Sequence, residues 1–158
     1  MRTSYAFFLL LLTFACSAPK NEKIEEEKPV ENKREIVKSE KAPLPIGPYN
    51  QGIVVGNTLH TAGQIAINAE TGEMVTDSIE AEATQVLDNL KSVIEEAGYT
   101  MDEVVQTTIY MTDLADFSKV NEIYGSYFKE GQAPARVTVQ VAAIPKNAHL
   151  EISMVAMK

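Results

Sequence analysis

The segment from Ser78 to Ala97 carries apolar residues at Ile79, Ala83, Val86, Leu87, Leu90, Val93, Ile94 and Ala97. Steps of three, four and one place them all along one side of an α-helix. A helix with a single apolar stripe must lie on a second layer that covers the stripe. Asp77 with Glu80 is the candidate N-cap pair, and Gly98 is placed to end the helix.

The rest of the chain supplies that layer. Gln51 to Val55, the pair Gly56-Asn57 and Thr58 to Ile67 read as a β-hairpin, and Glu103 to Thr112 as a strand with Val105, Thr107, Ile109 and Met111 on one face. Phe117, Val120, Tyr124, Tyr127 and Phe128 mark a second helical face, with Asp113 and Asp116 before it and Gly131 after it. Arg136 to Ala143 and Ala148 to Met157 alternate on either side of Pro145-Lys146-Asn147 and read as a closing hairpin. The order predicts an α+β domain of two layers, a mixed sheet with two helices on one face.

The N-terminal part is built differently. Arg2, the apolar run Tyr5 to Phe14 and the small residues Ala15 and Ser17 have the layout of a secretory signal peptide, with a run about half the roughly 20 residues of a spanning helix. Cys16, the only cysteine, follows Leu12-Thr13-Phe14-Ala15, which is similar to a bacterial lipoprotein cleavage box with Leu displaced by one position. Acylation of Cys16 and plain cleavage after Ser17 both fit this layout. Either implies export, and acylation implies a membrane-anchored lipoprotein in contact with the membrane only through its lipid. Residues 17–41 hold seven basic and seven acidic residues and few apolar ones, so they read as a charged tether of roughly 25 to 30 Å if flexible. The expected organisation is therefore signal 1–16, tether 17–41 and domain 42–158.

The tether is neutral, so the acidity belongs to the domain, whose six basic and 15 acidic residues give a net charge of −9. Such a body repels nucleic acid and anionic lipid surfaces. One cysteine excludes zinc ribbons, disulfide frameworks and thiol redox pairs. His60 and His149 could hold a metal only with carboxylate help, and no metal or cofactor is called for. Glycine spacing permits neither a dinucleotide fingerprint nor a P-loop, and no G-x-S-x-G or H-E-x-x-H occurs.

Arg136 is the only arginine between residues 42 and 158. Alternation groups it with Thr138 and Gln140, opposite Val137, Val139 and Val141, and groups His149, Glu151 and Ser153 opposite Leu150, Ile152 and Met154. With the apolar faces in the core, the two polar faces should lie together. They would form either a solvated Arg/Glu ion pair or a pocket whose guanidinium grips a carboxylate through two parallel hydrogen bonds.

Ile46-Gly47-Pro48-Tyr49-Asn50-Gln51, Thr61-Ala62-Gly63-Gln64-Ile65, Val120-Asn121-Glu122-Ile123-Tyr124, Pro134-Ala135-Arg136, and Ile144-Pro145-Lys146 with Leu150-Glu151-Ile152 together resemble the RidA (YjgF) family of reactive imine deaminases, in its order and spacing across 42–158. The resemblance implies a chorismate mutase-like fold, a homotrimer with active sites between subunits, and hydrolysis of small carboxylate-bearing enamines or imines such as 2-aminoacrylate and 2-iminopropanoate to 2-keto acids and ammonia. It assigns Arg136 to the substrate carboxylate, Tyr49 to closing the pocket, Gly63 to backbone contacts with that carboxylate, Asn121 to shaping the site, Thr138 to a backbone carbonyl contact, and Glu151 to positioning or activating water. Thr138 stands where many members have Cys, Ala62 where Ser is frequent and Ser153 where Glu is frequent. A non-catalytic trimeric module holding small carboxylates or a partner protein in the same cleft would use the same arginine. The older family label of ribonuclease or translation inhibitor is disfavoured by the charge of −9.

Overall fold

A computed structural model describes residues 33–158. The signal segment, Cys16 and the tether through residue 32 lie outside the described residues. One six-stranded sheet carries both helices on one face. Its strands are β1 (Arg34–Val37), β2 (Gly52–Val55), β3 (Thr58–Thr61), β4 (Val104–Met111), β5 (Ala135–Gln140) and β6 (Leu150–Met157), in the spatial order β1-β2-β3-β6-β4-β5. All neighbours are antiparallel except β4 and β5, which are parallel. The helices are α1 (Ile79–Glu96) and α2 (Phe117–Gly125), the latter entered through a short 3-10 turn, Leu114–Asp116.

α1 forms where its stripe predicts, and Val86, Leu87, Leu90, Val93 and Ile94 are fully buried. Each contributes about 1.5 to 3 kcal/mol of burial. The cap is Ser78 rather than Asp77: its hydroxyl accepts from the Ala81 N–H at 3.1 Å. Asp113 caps the 3-10 turn, and α2 ends at Gly125 instead of reaching Gly131, so only Val120 and Tyr124 of the expected stripe are fully buried from the helix itself.

β6 is central because both its edges are paired. Leu150, Ile152, Met154 and Ala156 enter the core and leave Glu151, Ser153 and Val155 half-buried on the far face. In β4 a register shift between Val104 and Gln106 turns Val104 inward and leaves Val105 exposed, contrary to simple alternation, while Thr107, Ile109 and Met111 stay buried. The hairpin of β2 and β3 turns at Gly56, whose φ is 59°, and its second strand ends at Thr61 rather than Ile67.

Two expectations fail here. Residues 34–41 are not tether: β1 pairs with β2, Val37 and Ser39 are buried, and the Gln51 carboxamide accepts from the Ser39 N–H at 2.7 Å and donates to Ser39, Ala42 and Pro43 carbonyls. The folded unit therefore includes a second arginine, Arg34, at the opposite sheet edge from Arg136. The closing hairpin also does not exist, because β4 lies between β5 and β6. β5 is an edge strand running parallel to β4, and two of the three valines expected in the core are exposed, Val137 at 52% and Val139 at 39%, while Val141, just past the strand, is half-buried. Its register pairs Arg136 with Thr107 and Thr138 with Ile109, which face the helices, so Arg136 and Thr138 face them as well. Glu151 pairs with Tyr110, on the other face.

Candidate functional site

The polar residues of β5 and β6 thus lie on opposite sides of the sheet. The reason is the intervening strand: a parallel β5 follows the facing pattern of β4, which the β6 pattern does not fix. The candidate residues fall into two groups that a single chain does not bring together.

The first group surrounds Glu151. Together with Tyr49, Gly63, Ala62, Ile46 and Pro145 it lines a pocket of about 240 Å³. Gly63 sits beside an antiparallel bridge in which Gln64 and Ile152 exchange backbone hydrogen bonds of 2.8 and 3.1 Å. This bridge brings the Gly63 backbone against the Glu151 side chain so closely that a Cβ on residue 63 would lie 2.0 Å from Oε1 and 2.8 Å from Cδ. Glycine leaves room here for the Glu151 side chain in this position, and it does so without an unusual dihedral angle. Burial raises the Glu151 pKa above the usual carboxylate value. Tyr49 lies over Gly47, and its hydroxyl accepts from the Ile46 N–H at 3.1 Å, which folds the 46–49 loop along the pocket. Gln51, part of the same sequence motif, is a brace for residues 39–43 and does not line this pocket.

The second group surrounds Arg136, which lines a cleft of about 390 Å³ with Asn121, Tyr124, Gly125, Ala133 and Pro134. No carboxylate pairs with the guanidinium among the described residues. Of the two alternatives that alternation left open, the Arg136/Glu151 ion pair is therefore absent among the described residues. Thr138, one pleat further along β5, has a buried hydroxyl oxygen with no hydrogen-bond partner among the described residues. Tyr124 and Phe117 stand over Arg136, and sequence reasoning missed both roles because their spacing reads as ordinary core. His149, weighed as a ligand, is committed elsewhere: Nδ1 lies 2.9 Å from Glu82 Oε2, and the buried Glu82 also accepts from the His149 and Leu150 N–H groups.

The family profile described as Endoribonuclease L-PSP matches residues 39–158. A RutC family protein of Pyrococcus abyssi is 47% identical over 125 residues, spanning 79% of this chain and 98% of the relative. The chain belongs to the RidA (YjgF) family. The chloroplastic Reactive Intermediate Deaminase A of Arabidopsis thaliana is 45% identical over 124 residues, 78% of this chain and 66% of that one. Among solved structures, the YjgF gene product of E. coli is 42% identical with a TM-score of 0.74, over 78% of this chain and 98% of that chain. E. coli TdcF with bound serine is 38% identical with a TM-score of 0.75, over 78% and 98%. The mixed sheet with two helices is the architecture of these neighbours, and trimeric assembly is typical of the family.

Proposed function

We propose that this protein hydrolyses small carboxylate-bearing imines and enamines to 2-keto acids and ammonia, a reading in keeping with its Arabidopsis relative, which is named a reactive intermediate deaminase. The observation that carries the reading is the partly buried Glu151 wedged against Gly63 in a pocket that Tyr49 also lines. Arg136 supports it as a free anion-binding group.

The two groups come together in a trimer in which Arg136 of one copy faces Glu151 of the next. The sheet face away from the helices supports such packing, because Ile36, Val105, Tyr110, Val137 and Val139 stay exposed on this chain. In the joined cleft, Arg136 and Asn121 hold the substrate carboxylate end, with the Thr138 backbone beside them, and Gly63 and Tyr49 enclose the reacting carbon. An enamine first takes a proton from solvent at its terminal carbon and becomes the iminium; the iminium carbon is already electrophilic, so a positioned water and a base suffice. Glu151 accepts a proton as water adds to the carbon, and the C=N bond becomes C–N in a carbinolamine. The proton passes from Glu151 to nitrogen; as the C–N bond breaks and ammonia departs, the carbinolamine hydroxyl gives its proton to the Glu151 carboxylate and becomes the carbonyl of the keto acid, and Glu151 then releases that proton to ammonia or solvent. A raised carboxyl pKa suits a group that must both take and return the proton.

The export signal and Cys16 extend the proposal to a domain delivered across a membrane and held there by lipid; mass spectrometry of the mature N-terminus tests that part. For the reaction, ammonia and keto acid release is measured from an enzymatically generated 2-imino acid. Acceleration over buffer that Arg136→Ala and Glu151→Gln both remove is expected. No acceleration, or full activity in Arg136→Ala, refutes the reading. A Glu151→Gln protein that keeps both ligand affinity and its wild-type rate refutes the role of the base.

A further inference from the structure

The Arg136 guanidinium carbon lies 4.7 Å from the centre of the Tyr124 ring and 5.7 Å from that of Phe117, over both rings. The two aromatics share one face of α2, and neither supplies a negative charge. Tyr124 is itself fixed: its ring is buried, packs 4.9 Å from Phe128, and its hydroxyl donates to Thr107 Oγ1 at 3.0 Å. Thr107 is the residue paired with Arg136 across β4 and β5. Strand pairing, hydrogen bond and ring contact thus form a closed loop of restraints that returns to the guanidinium.

A ring face attracts a cation through its quadrupole. It uses none of the five N–H donors, which lie in the guanidinium plane. A carboxylate in the same place would occupy two donors, cancel the charge and repel an anionic substrate. We propose that Tyr124 and Phe117 are positioning residues, which hold the Arg136 guanidinium in place while leaving its charge and donors free for the substrate carboxylate. The inference rests on the deaminase reading and adds to it the device that keeps the arginine available in an acidic domain.

Ring-retaining and ring-removing variants separate this role from plain packing. Tyr124→Phe keeps the ring and loses the bond to Thr107, so its unfolding temperature falls while KM stays within about twofold of wild type. Phe117→Leu removes an aromatic ring from a position that is 38% exposed, so stability changes little. Its KM for the imino acid rises about two- to fivefold with kcat nearly unchanged, the pattern of lost binding. Tyr124→Leu raises KM about three- to thirtyfold. Phe117→Tyr restores the wild-type KM. A KM that follows unfolding temperature across the four variants, or a wild-type KM in Phe117→Leu, overturns the inference and leaves the deaminase reading standing. Titration with pyruvate separates the two failures: a wild-type protein that neither binds pyruvate nor hydrolyses imine removes the functional reading, and this inference with it.

Discussion

Gly63→Ala tests the catalytic half-site most directly. The added methyl would lie 2.0 Å from Glu151 Oε1, 2.8 Å from Cδ and 3.1 Å from Cγ, so the whole end of the side chain must leave its place. The methyl meets only a half-buried side chain able to swing away, which keeps the stability cost near the low end of overpacking, about 1 kcal/mol. The cost to catalysis is larger. A displaced general base forfeits about 10²- to 10⁴-fold in rate. Gly63→Ala should therefore unfold within a few degrees of wild type yet lose kcat by at least about 100-fold in the ammonia-release assay. Because the effect runs through Glu151, adding Glu151→Gln to Gly63→Ala should cost almost nothing more, a strongly non-additive cycle. A Gly63→Ala enzyme within about threefold of wild type, or a double variant whose losses multiply, would refute the placement of Glu151 as the base.

Four further outcomes follow from the structure. Because burial raises the folded-state pKa of Glu151, ionisation opposes folding, and the stability supplied by the protonated form is lost as pH rises through that raised pKa; Glu151→Gln should be more stable than wild type at pH 7, with the gap closing on acidification, as thermal unfolding from neutral pH down to about pH 4 will show. The acid limb of the kcat/KM profile should correspondingly lie above 4.5, and a limb at or below that value contradicts the burial of Glu151. Glu82→Ala leaves the N–H groups of His149 and Leu150 without their acceptor and should cost about 2 to 5 kcal/mol in urea unfolding. Gly125 is helical, and a Cβ there meets nothing within 4 Å, so Gly125→Ala should gain about 0.5 to 1 kcal/mol; a loss would show that the residue is needed for a contact this chain alone does not make.

Periodicity located the elements that local patterning controls. The α1 stripe and the β6 alternation each match one buried face, because each packs against the same core along its length. Pairing between distant strands was not legible. Nothing in Arg136 to Gln140 says that the strand runs parallel to β4 at the sheet edge, and alternation alone assigns its two faces equally well in either sense. The choice is made by α2, which lays Tyr124 and Phe117 over the arginine and leaves the valines outside. The site residues were recognisable by resemblance as a set, but their division between two sheet faces depends on that strand order. Residues 34–41 resembled a tether because their fixing comes from elsewhere, through Gln51 and the edge of β2, and not from an apolar pattern of their own.

The placement of Arg136 and Glu151 on opposite faces of one sheet has a genetic consequence for a ring of three copies. If sites form between copies as proposed, each protomer would donate its arginine to one site and its glutamate to a different one. Two inactive proteins, one lacking Arg136 and one lacking Glu151, would rebuild an intact site wherever the surviving arginine of one meets the surviving glutamate of the other. Either mixed ring contains one such junction, so random co-assembly from equal amounts would recover about a quarter of the sites. Loss of either residue would behave as a defect that a second, different defect can mask.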